Sequence, residues 1–593
     1  MSLDIETYDP QLKKLGIGTR RGGYILGFSL AWEDRPAVYF PIRHPEDNVD
    51  REKALAYLRN YLANFKGELI GANLGYDLDY LAEVGIRPNR EAMIRDVQIA
   101  EPIINELRES YSLDSICKVY GVTSKKEEIL RDAASAWRID PKNEMRQLPG
   151  RYVAEYAAAD AQAALAVYQK QSAIIDKDEL RPIFDMESRL MPVLLRMRRL
   201  GVRISQEALE RVSLFAREEA EKSLDKIQKF SGRRLAFEEL WNAGAIDRVF
   251  KAVGISLPRT ATKQPQVKAD VLAATGHPIA QHVAEARQMA KVITTFVQSV
   301  KDHMTNGRLH CTYRQLVGST DEEAGARFGR MSCAHPNLQQ QPARHPKIAK
   351  IWRSIYIPEE GDHWATLDYS QQEPRMLVHY AEACGFPRAS DAAERYRRDP
   401  NTDNHQMMAD LCGIERKKAK IIFLGKCYGM GGAKLCKSLS LPTTWIHSAR
   451  LKKMVEVAGP EGEAIIRQFD EKLPFVKCLE ASAKQEADRR GYIRTILGRR
   501  CRFPRSKQGG FDWTHKALNR LIQGSSGDQT KQALIELDRE GFCIHLQVHD
   551  EIDMSVPDRQ TAERAADIMV NCVPLRVPSK VDVEIGPSWG EAV

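Results

Sequence analysis

The stretch CIHLQVHDEIDMSV (543–556) constrains the chain most. Its β-branched and apolar residues read as a half-buried strand, yet Asp550 and Glu551 stand side by side within it. A carboxylate in such a strand must be neutralised, hydrogen-bonded or holding a cation, because an unpaired buried charge is too costly to keep. Taken alone, the pair reads as a strand end where two acids meet water. Any stronger reading needs partner carboxylates from elsewhere in the chain.

At 593 residues the chain exceeds one hydrophobic core, so several domains are expected. Hydrophobic residues at 43% and charged residues at 28% give the profile of a soluble globular protein. No apolar run reaches the length of a membrane span, and the acidic start MSLDIETYDP lacks the features of a secretory signal. Eleven cysteines without a CxxC pair argue against a zinc site or a disulfide framework and fit a reducing interior. The net charge of +8 is modest, but residues 484–507 hold nine Lys/Arg against two acids, interleaved with Tyr492, Ile493, Ile496, Leu497 and Phe503. A solvated face is the plain reading of such a run; the interleaving suits a strand pair crossing a phosphate backbone.

Residues 1–175 alternate strand-like runs with helical patterns, which predicts an α/β domain. Long charged helices follow from about 186, LPRTATKQPQVKA (257–269) reads as an exposed loop, and helix and strand mix again from 308. Helices dominate 404–490, and strands return after 491. No internal repeat or long low-complexity segment is present.

Acids in the N-terminal domain fall into three boxes. Asp4 and Glu6 leave one face of a strand, Asn73 and Asp77 follow in NLGYD, and Tyr156 and Asp160 align at i,i+4 on a helix. Four carboxylates from three segments could gather two divalent cations ~4 Å apart around a phosphodiester, with Tyr156 orienting the attacking water. Each box is weak by itself; the ordered set is not. The boxes resemble the DxE, NxxxD and YxxxD motifs of DEDDy-type 3′–5′ exonucleases, the proofreading domain of bacterial DNA polymerase I. The resemblance continues through RDVQIAEPIINE (95–106) and YSLDSICKVYGV (111–122). Asp4 lies close to Met1, so either a natural start further upstream or a loosely held edge is expected here.

The resemblance extends over the remaining chain. GRMSCAHPNLQQQP (329–342), TLDYSQQEPR (366–375), RKKAKIIFLGKCYG (416–429) and VHDE (548–551) are similar to the GRLSSxxPNLQNIP stretch and motifs A, B and C of family A DNA polymerases, phage replicative enzymes above all. No region resembling a 5′ nuclease precedes the exonuclease. The resemblance implies that Asp368 and Asp550 bind two Mg²⁺, for which Mn²⁺ can substitute, with help from the Tyr369 carbonyl and with Glu551 in support. One cation would activate the primer 3′-hydroxyl and the other hold the triphosphate. A second pair of Mg²⁺ would occupy the exonuclease site. Arg416, Lys420, Leu424 and Tyr428, four apart on a helix, would meet triphosphate, sugar and base, and Lys420 could protonate the pyrophosphate. His405 matches a phosphate-contacting histidine, with a structural role open as an alternative. Glu373 would exclude a ribose 2′-hydroxyl. Arg330, Asn337, Gln339, Asn519, Gln523 and His549 match contacts to primer or template, several of them in the minor groove.

Four positions depart from the family pattern: Gln372, Phe423, Leu424 and His515 replace a usual Ile or Leu, Asn, aromatic and Arg. All are expected near the nascent base pair. Neutral repacking and a pocket that accepts 2-aminoadenine nucleotide beside adenine both remain open. The implied fold is α/β and α+β, multidomain: an RNase H-like 3′–5′ exonuclease domain (1–180) and a right hand. The hand has its thumb at 186–305, palm at 306–403 and 500–593, and fingers at 404–499, and the basic 484–507 stretch would grip the duplex. The implied partners are primer–template DNA and dNTPs, handled by a monomer in the cytoplasm of an infected bacterial host. Two rivals stand beside this. A single-subunit RNA polymerase lacks proofreading acids and would find Glu373 in the way. A non-catalytic DNA-binding relative should have lost a metal ligand, and Asp4, Glu6, Asp77, Asp160, Asp368 and Asp550 are all present.

Overall fold

Short β-branched runs separated by amphipathic helices fold the first two hundred residues into a covered sheet. The computed structural model describes residues 1–123, 127–316, 328–342, 346–448 and 453–593. The sheet comprises β1 (Ser2–Tyr8), β2 (Tyr24–Ala31), β3 (Val38–Pro41), β4 (Glu68–Gly71) and β5 (Met93–Asp96) in the order β3-β2-β1-β4-β5. β1, β2 and β3 pair antiparallel, whereas β4 and β5 run parallel to β1. Leu3 and Ile5 of β1 are buried, so its other face carries Asp4 and Glu6. Helices α1 (Leu74–Glu83), α2 (Gly150–Lys177) and α3 (Arg181–Leu200) pack around this sheet.

The later chain supplies β6 (His363–Tyr369), α4 (Gln372–Ala383), α5 (Asn404–Cys412), α6 (Arg416–Cys427) and the hairpin β7 (Thr443–Ser448) and β8 (Lys453–Ala458). A second hairpin, β9 (Tyr492–Arg494) and β10 (Arg500–Arg502), precedes α7 (Ala517–Arg539), β11 (Cys543–Val548), β12 (Glu551–Val556) and β13 (Val581–Gly586). The last three strands and β6 form a sheet in the order β11-β12-β6-β13. Met376, Ile422, Phe423 and Leu518 join α4, α6 and α7 in one apolar core. α7 also buries an unusual run of polar residues, Ser525, Ser526, Asp528, Gln529, Thr530 and Lys531.

The chain divides into two compact units. One comprises Met1–Leu200, Thr312–Ala334 and Thr366–Glu584; the other comprises Gly201–Cys311, His335–Ala365 and Ile585–Val593. The second unit has its own core of Leu224, Ile227, Phe250, Ile279 and Val283, and a small sheet of Tyr356–Ile357, Val202–Ile204 and Arg308–Leu309. Among the described residues no helix is long and apolar enough to cross a membrane.

Two expectations are corrected and a third is refined. Asp550 is not inside a strand: it lies in the two-residue turn that joins β11 to β12, where Val548 pairs with Glu551 and His549 takes φ 62°. A hairpin end lets the carboxylate leave the sheet instead of being buried between strands. Helices dominate 404–490 as expected, but the β7–β8 hairpin interrupts them. The arginines of the basic stretch are engaged within the chain: Arg502 with Glu106 at 2.9 Å, Arg500 with Asp178 at 3.0 Å and Arg494 with Glu179 at 2.9 Å. The β9–β10 hairpin therefore docks on the N-terminal domain where a duplex grip was expected.

Candidate active sites

The first cluster gathers on β1. Asp4 and Glu6 stand opposite Ser29 and Gly27 of β2, and a bulge after Glu6 shifts the register. Asn73 adopts a left-handed φ of 62° just ahead of α1, and Asp77 in that helix's first turn is buried. Tyr156 and Asp160 approach from α2 and are hydrogen-bonded to each other. Burial pushes Asp4 well above the usual carboxylate range, and Asp160 pushes it further. Asp77 is raised by burial, then by Asp4, Asp96 and Glu6. The Tyr156 hydroxyl is raised by burial and by Glu6, Asp160 and Asp4. All five predicted groups thus act on one another across three segments.

Sequence reasoning missed two supports of this cluster. Asp96 accepts hydrogen bonds from the backbone of Leu74 and Gln98, both at 2.7 Å, which ties the start of α1 to the end of β5. Burial raises it to about 6 against those bonds. Tyr39 lies across Gly27, where a Cβ would strike its hydroxyl, and it bonds His44 at 2.7 Å. Asp96 falls within RDVQIAEPIINE, so a signal existed; Tyr39 is recognisable only once β2 and β3 pair.

The second cluster forms where β6 meets the β11–β12 turn. The Tyr369 amide donates to the Asp550 carbonyl at 3.3 Å, which sets Asp368 beside that turn. The Asp368 carboxyl is pushed up to about 7 by withdrawal from water and by Asp550, Glu551, Asp582 and Glu584. Asp582 and Glu584, two apart on the neighbouring β13, were not anticipated, because only strand order reveals them. Burial raises Asp550, with His549 and Arg330 opposing. Tyr369 buries its ring and donates its hydroxyl to the Met569 carbonyl at 2.7 Å.

Glu373 is hydrogen-bonded to Arg330 at 2.7 Å and accepts from the Tyr428 hydroxyl at 3.0 Å. Its carboxyl is raised by burial, with Arg330 and Tyr428 pulling it down. Gln523 of α7 bonds the same tyrosine, and Asn519 lies one turn earlier. On α6, Arg416 and Lys420 are exposed, and Arg416 pairs with Asp403 at 2.7 Å. Leu424 lies at the core's edge, and Tyr428 follows the helix end instead of sitting within it. His405 is almost buried, 5.7 Å from the Phe423 ring. Asn337 and Gln339 belong to the second unit, where the Gln339 amide donates to Asn337 Oδ1 at 3.0 Å.

Two residues expected beside the substrate turn away from open space. Gln372 is buried and its amide donates to Gln529 Oε1 at 3.1 Å, Thr530 Oγ1 at 3.3 Å and the Ser526 carbonyl at 3.3 Å. Phe423 is fully buried in the core. A position within a motif does not fix which way its side chain turns; α7's polar face drew Gln372 inward. His515 is exposed and packs against Gly429, one residue beyond Tyr428.

The model of DNA polymerase family A matches residues 206–591, and that of the 3′–5′ exonucleases matches 19–176. The exonuclease match begins after β1, so Asp4 and Glu6 rest on geometry. The chain is 47% identical to a DNA-directed DNA polymerase of Pseudomonas phage M6, across 100% of this chain and 94% of that protein. It is 31% identical to the DNA polymerase DpoZ of Salmonella phage PMBT28, across 95% of each. Among solved structures it resembles the polymerase domain of Pol1 from M. smegmatis, a complex with DNA primer–template and dNTP. That likeness has a TM-score of 0.73 at 22% identity and covers 96% of this chain and 93% of the other.

Proposed function

This chain belongs to DNA polymerase family A and is a DNA-directed DNA polymerase with a 3′–5′ exonuclease domain, and from that premise we propose that it replicates phage DNA through two two-cation sites. The observation that carries this is the β6–turn contact that sets Asp368 beside Asp550. The donor sets fit hard divalent cations. Both are crowded carboxylates, and Asp77 Oδ2 is buried with no hydrogen-bond partner among the described residues. Mg²⁺ fits such donors, two per site, and Mn²⁺ can replace it. When bound, the cations neutralise the attacking and leaving oxygens of the transferred phosphate.

The chain's own residues do the rest. Asp368, Asp550 and the Tyr369 carbonyl form one ligand set; Asp4, Glu6, Asp77 and Asp160 form the other. Arg416, Lys420 and His405 hold the triphosphate, and Lys420 gives a proton to the departing pyrophosphate. Glu373, fixed by Arg330 and Tyr428, occupies the space of a 2′-hydroxyl. Leu424 and Tyr428 face sugar and base, while Arg330, Asn337, Gln339, Asn519, Gln523 and His549 hold primer and template. Tyr156 orients the hydrolytic water. The exonuclease is assigned to 1–180, the thumb to 186–305, the palm to 306–403 and 500–593, and the fingers to 404–499. The enzyme acts as a monomer in the cytoplasm of an infected bacterium.

Primer extension tests this reading. With Mg²⁺ and dNTPs a primer should lengthen, and without dNTPs it should shorten from its 3′ end. Equal extension with rNTPs would favour an RNA polymerase, and neither activity would favour a DNA-binding protein alone.

For base selection, we propose that the pocket takes 2-aminoadenine beside adenine. The extra amino group puts a donor in the minor groove opposite thymine. Gln523, hydrogen-bonded to Tyr428, carries an amide oxygen that could accept from it, and the unusual Leu424 and His515 flank the same helix end. Incorporation opposite template thymine, with dATP and its 2-amino analogue in competition, tests this. It should be run with the exonuclease intact and then disabled; a clear preference for dATP in both would overturn it.

A further inference from the structure

Arg330 reaches both Glu373 and the vicinity of Asp550, yet its own segment, Phe328-Gly329-Arg330, belongs to no helix or strand. The surroundings hold it instead. Gly329 takes φ +88°, and a Cβ there would lie 2.6 Å from Arg499 Nε and 3.1 Å from its Cζ. From the other side, α7 presents Gly524 and Gly527; a Cβ on either would come within 3.2 Å of the Phe328 or Gly329 carbonyl oxygen. Arg520 lies over the Phe328 ring at 4.3 Å. The backbone that carries Arg330 is therefore seated between two glycines of a helix and one guanidinium.

That guanidinium is itself aimed. Arg499 is buried, donates from Nε to Asp528 Oδ1 at 3.0 Å and from Nη2 to Glu187. Thr495 bonds Asp528 at 2.5 Å and accepts the Arg499 amide at 3.0 Å. Glu187, on α3, also accepts from Lys531 at 2.5 Å and Gln315 at 2.8 Å. α3 is anchored to the exonuclease sheet, since Arg95 of β5 bonds Asp185 at 2.7 Å. Burial works to raise the Glu187 carboxyl, but Lys531 and Arg499 outweigh it and hold it low. A buried ionic quartet is a poor source of stability, because well-packed apolar residues do as well or better. It supplies direction: a planar fork held at two corners keeps one orientation.

We propose that Arg499, aimed by Glu187 and Asp528, is a positioning residue that seats Gly329 and so fixes Arg330 on Glu373, linking the helix that leaves the exonuclease to sugar selection. The inference rests on the proposed roles of Arg330 and Glu373. Arg499 and Glu187 are both buried, so their effect would pass through Gly329.

Single-turnover incorporation of a matched dNTP and its ribonucleotide, in an Asp160→Ala background, provides the test. Arg499→Lys keeps the charge but cannot hold both carboxylates and still back Gly329. Gly329→Ala disturbs the same contact without altering any ionic partner. Each should lower the deoxy-over-ribo ratio by about tenfold, and Arg499→Lys should add less than about twofold once Arg330 is already Ala. A merely structural role would lower the melting temperature but leave that ratio unchanged in the folded fraction. An unchanged ratio in either folded variant, or full additivity with Arg330→Ala, overturns the proposal while the gate stands. An unchanged ratio in Arg330→Ala and Glu373→Ala would instead overturn the gate reading, and the proposal with it.

Discussion

His405 shows how burial decides what a single side chain can do. Packed against Phe423, it has its pKa lowered from 6.5 to about 4 by burial, helped by Lys420 and Arg416 against Asp403. In the ligand-free protein the ring is therefore neutral near neutral pH, so in the proposed triphosphate site the standing positive charge falls to Lys420 and Arg416. As pH falls through 6.5 the unfolded chain takes up a proton that the folded chain refuses until about 4, so stability is lost across that window only. We predict that His405→Gln raises the melting temperature relative to the parent at about pH 5 but not at about pH 7.5. Equal shifts at both would show that the ring's ionisation is not the cause. His405, Glu373 and the five aspartates and one glutamate of the two clusters were singled out from their motifs, and the structure gathers each set of carboxylates together. Asp96, Asp582 and Glu584 were not: an isolated acid on a strand acquires meaning only from its neighbour in the sheet. Gln372 and Phe423 were legible as unusual, but their direction depended on what α7 offered them.

At the scale of elements, the β9–β10 hairpin separates charge from use. Its sequence is the most basic stretch of the chain and suggests phosphate, whereas its arginines close on Glu106, Asp178 and Glu179. Arg502 and Glu106 are both largely withdrawn from water, so truncating the arginine strands a carboxylate. We predict that Arg502→Ala costs about 3 kcal/mol in urea unfolding, toward the low end for a broken buried pair because the residue 502 amide still donates to Glu106. The salt dependence of DNA binding should be unchanged. A phosphate contact would do the opposite, costing little stability and reducing the salt slope by about one. Patterning placed the main strands and long helices well, since period-2 and period-3.6 signals are local. It failed at β7–β8, which exposes Trp445 and Ile446 and so lacks a buried face to read. It also placed Asp550 within a strand, because the turn His549-Asp550 lacks the Asn-Gly or Asp-Gly pair that marks a two-residue hairpin.

At the scale of the molecule, both carboxylate clusters lie in the same compact unit, that of Met1–Leu200, Thr312–Ala334 and Thr366–Glu584. They are nonetheless electrically separate. Asp4 and Asp77 respond to Asp160, Glu6 and Asp96, whereas Asp368 responds to Asp550, Glu551, Asp582 and Glu584. Chemistry should follow that division. Asp368→Ala or Asp550→Ala should lower synthesis by roughly a thousandfold and leave 3′ degradation intact, and Asp4→Ala or Asp160→Ala should do the reverse. Stability offers a second readout, because like charges crowded in one place oppose folding until a cation joins them. In EDTA each of these variants should melt above the parent, having lost a repelling carboxylate. With saturating Mg²⁺ the order should invert, since only an intact ligand set gains the full stabilisation that ligand binding confers on the folded state. Loss of both activities in one soluble variant, or a melting order that Mg²⁺ does not change, would mean that the two clusters are not independent cation sites.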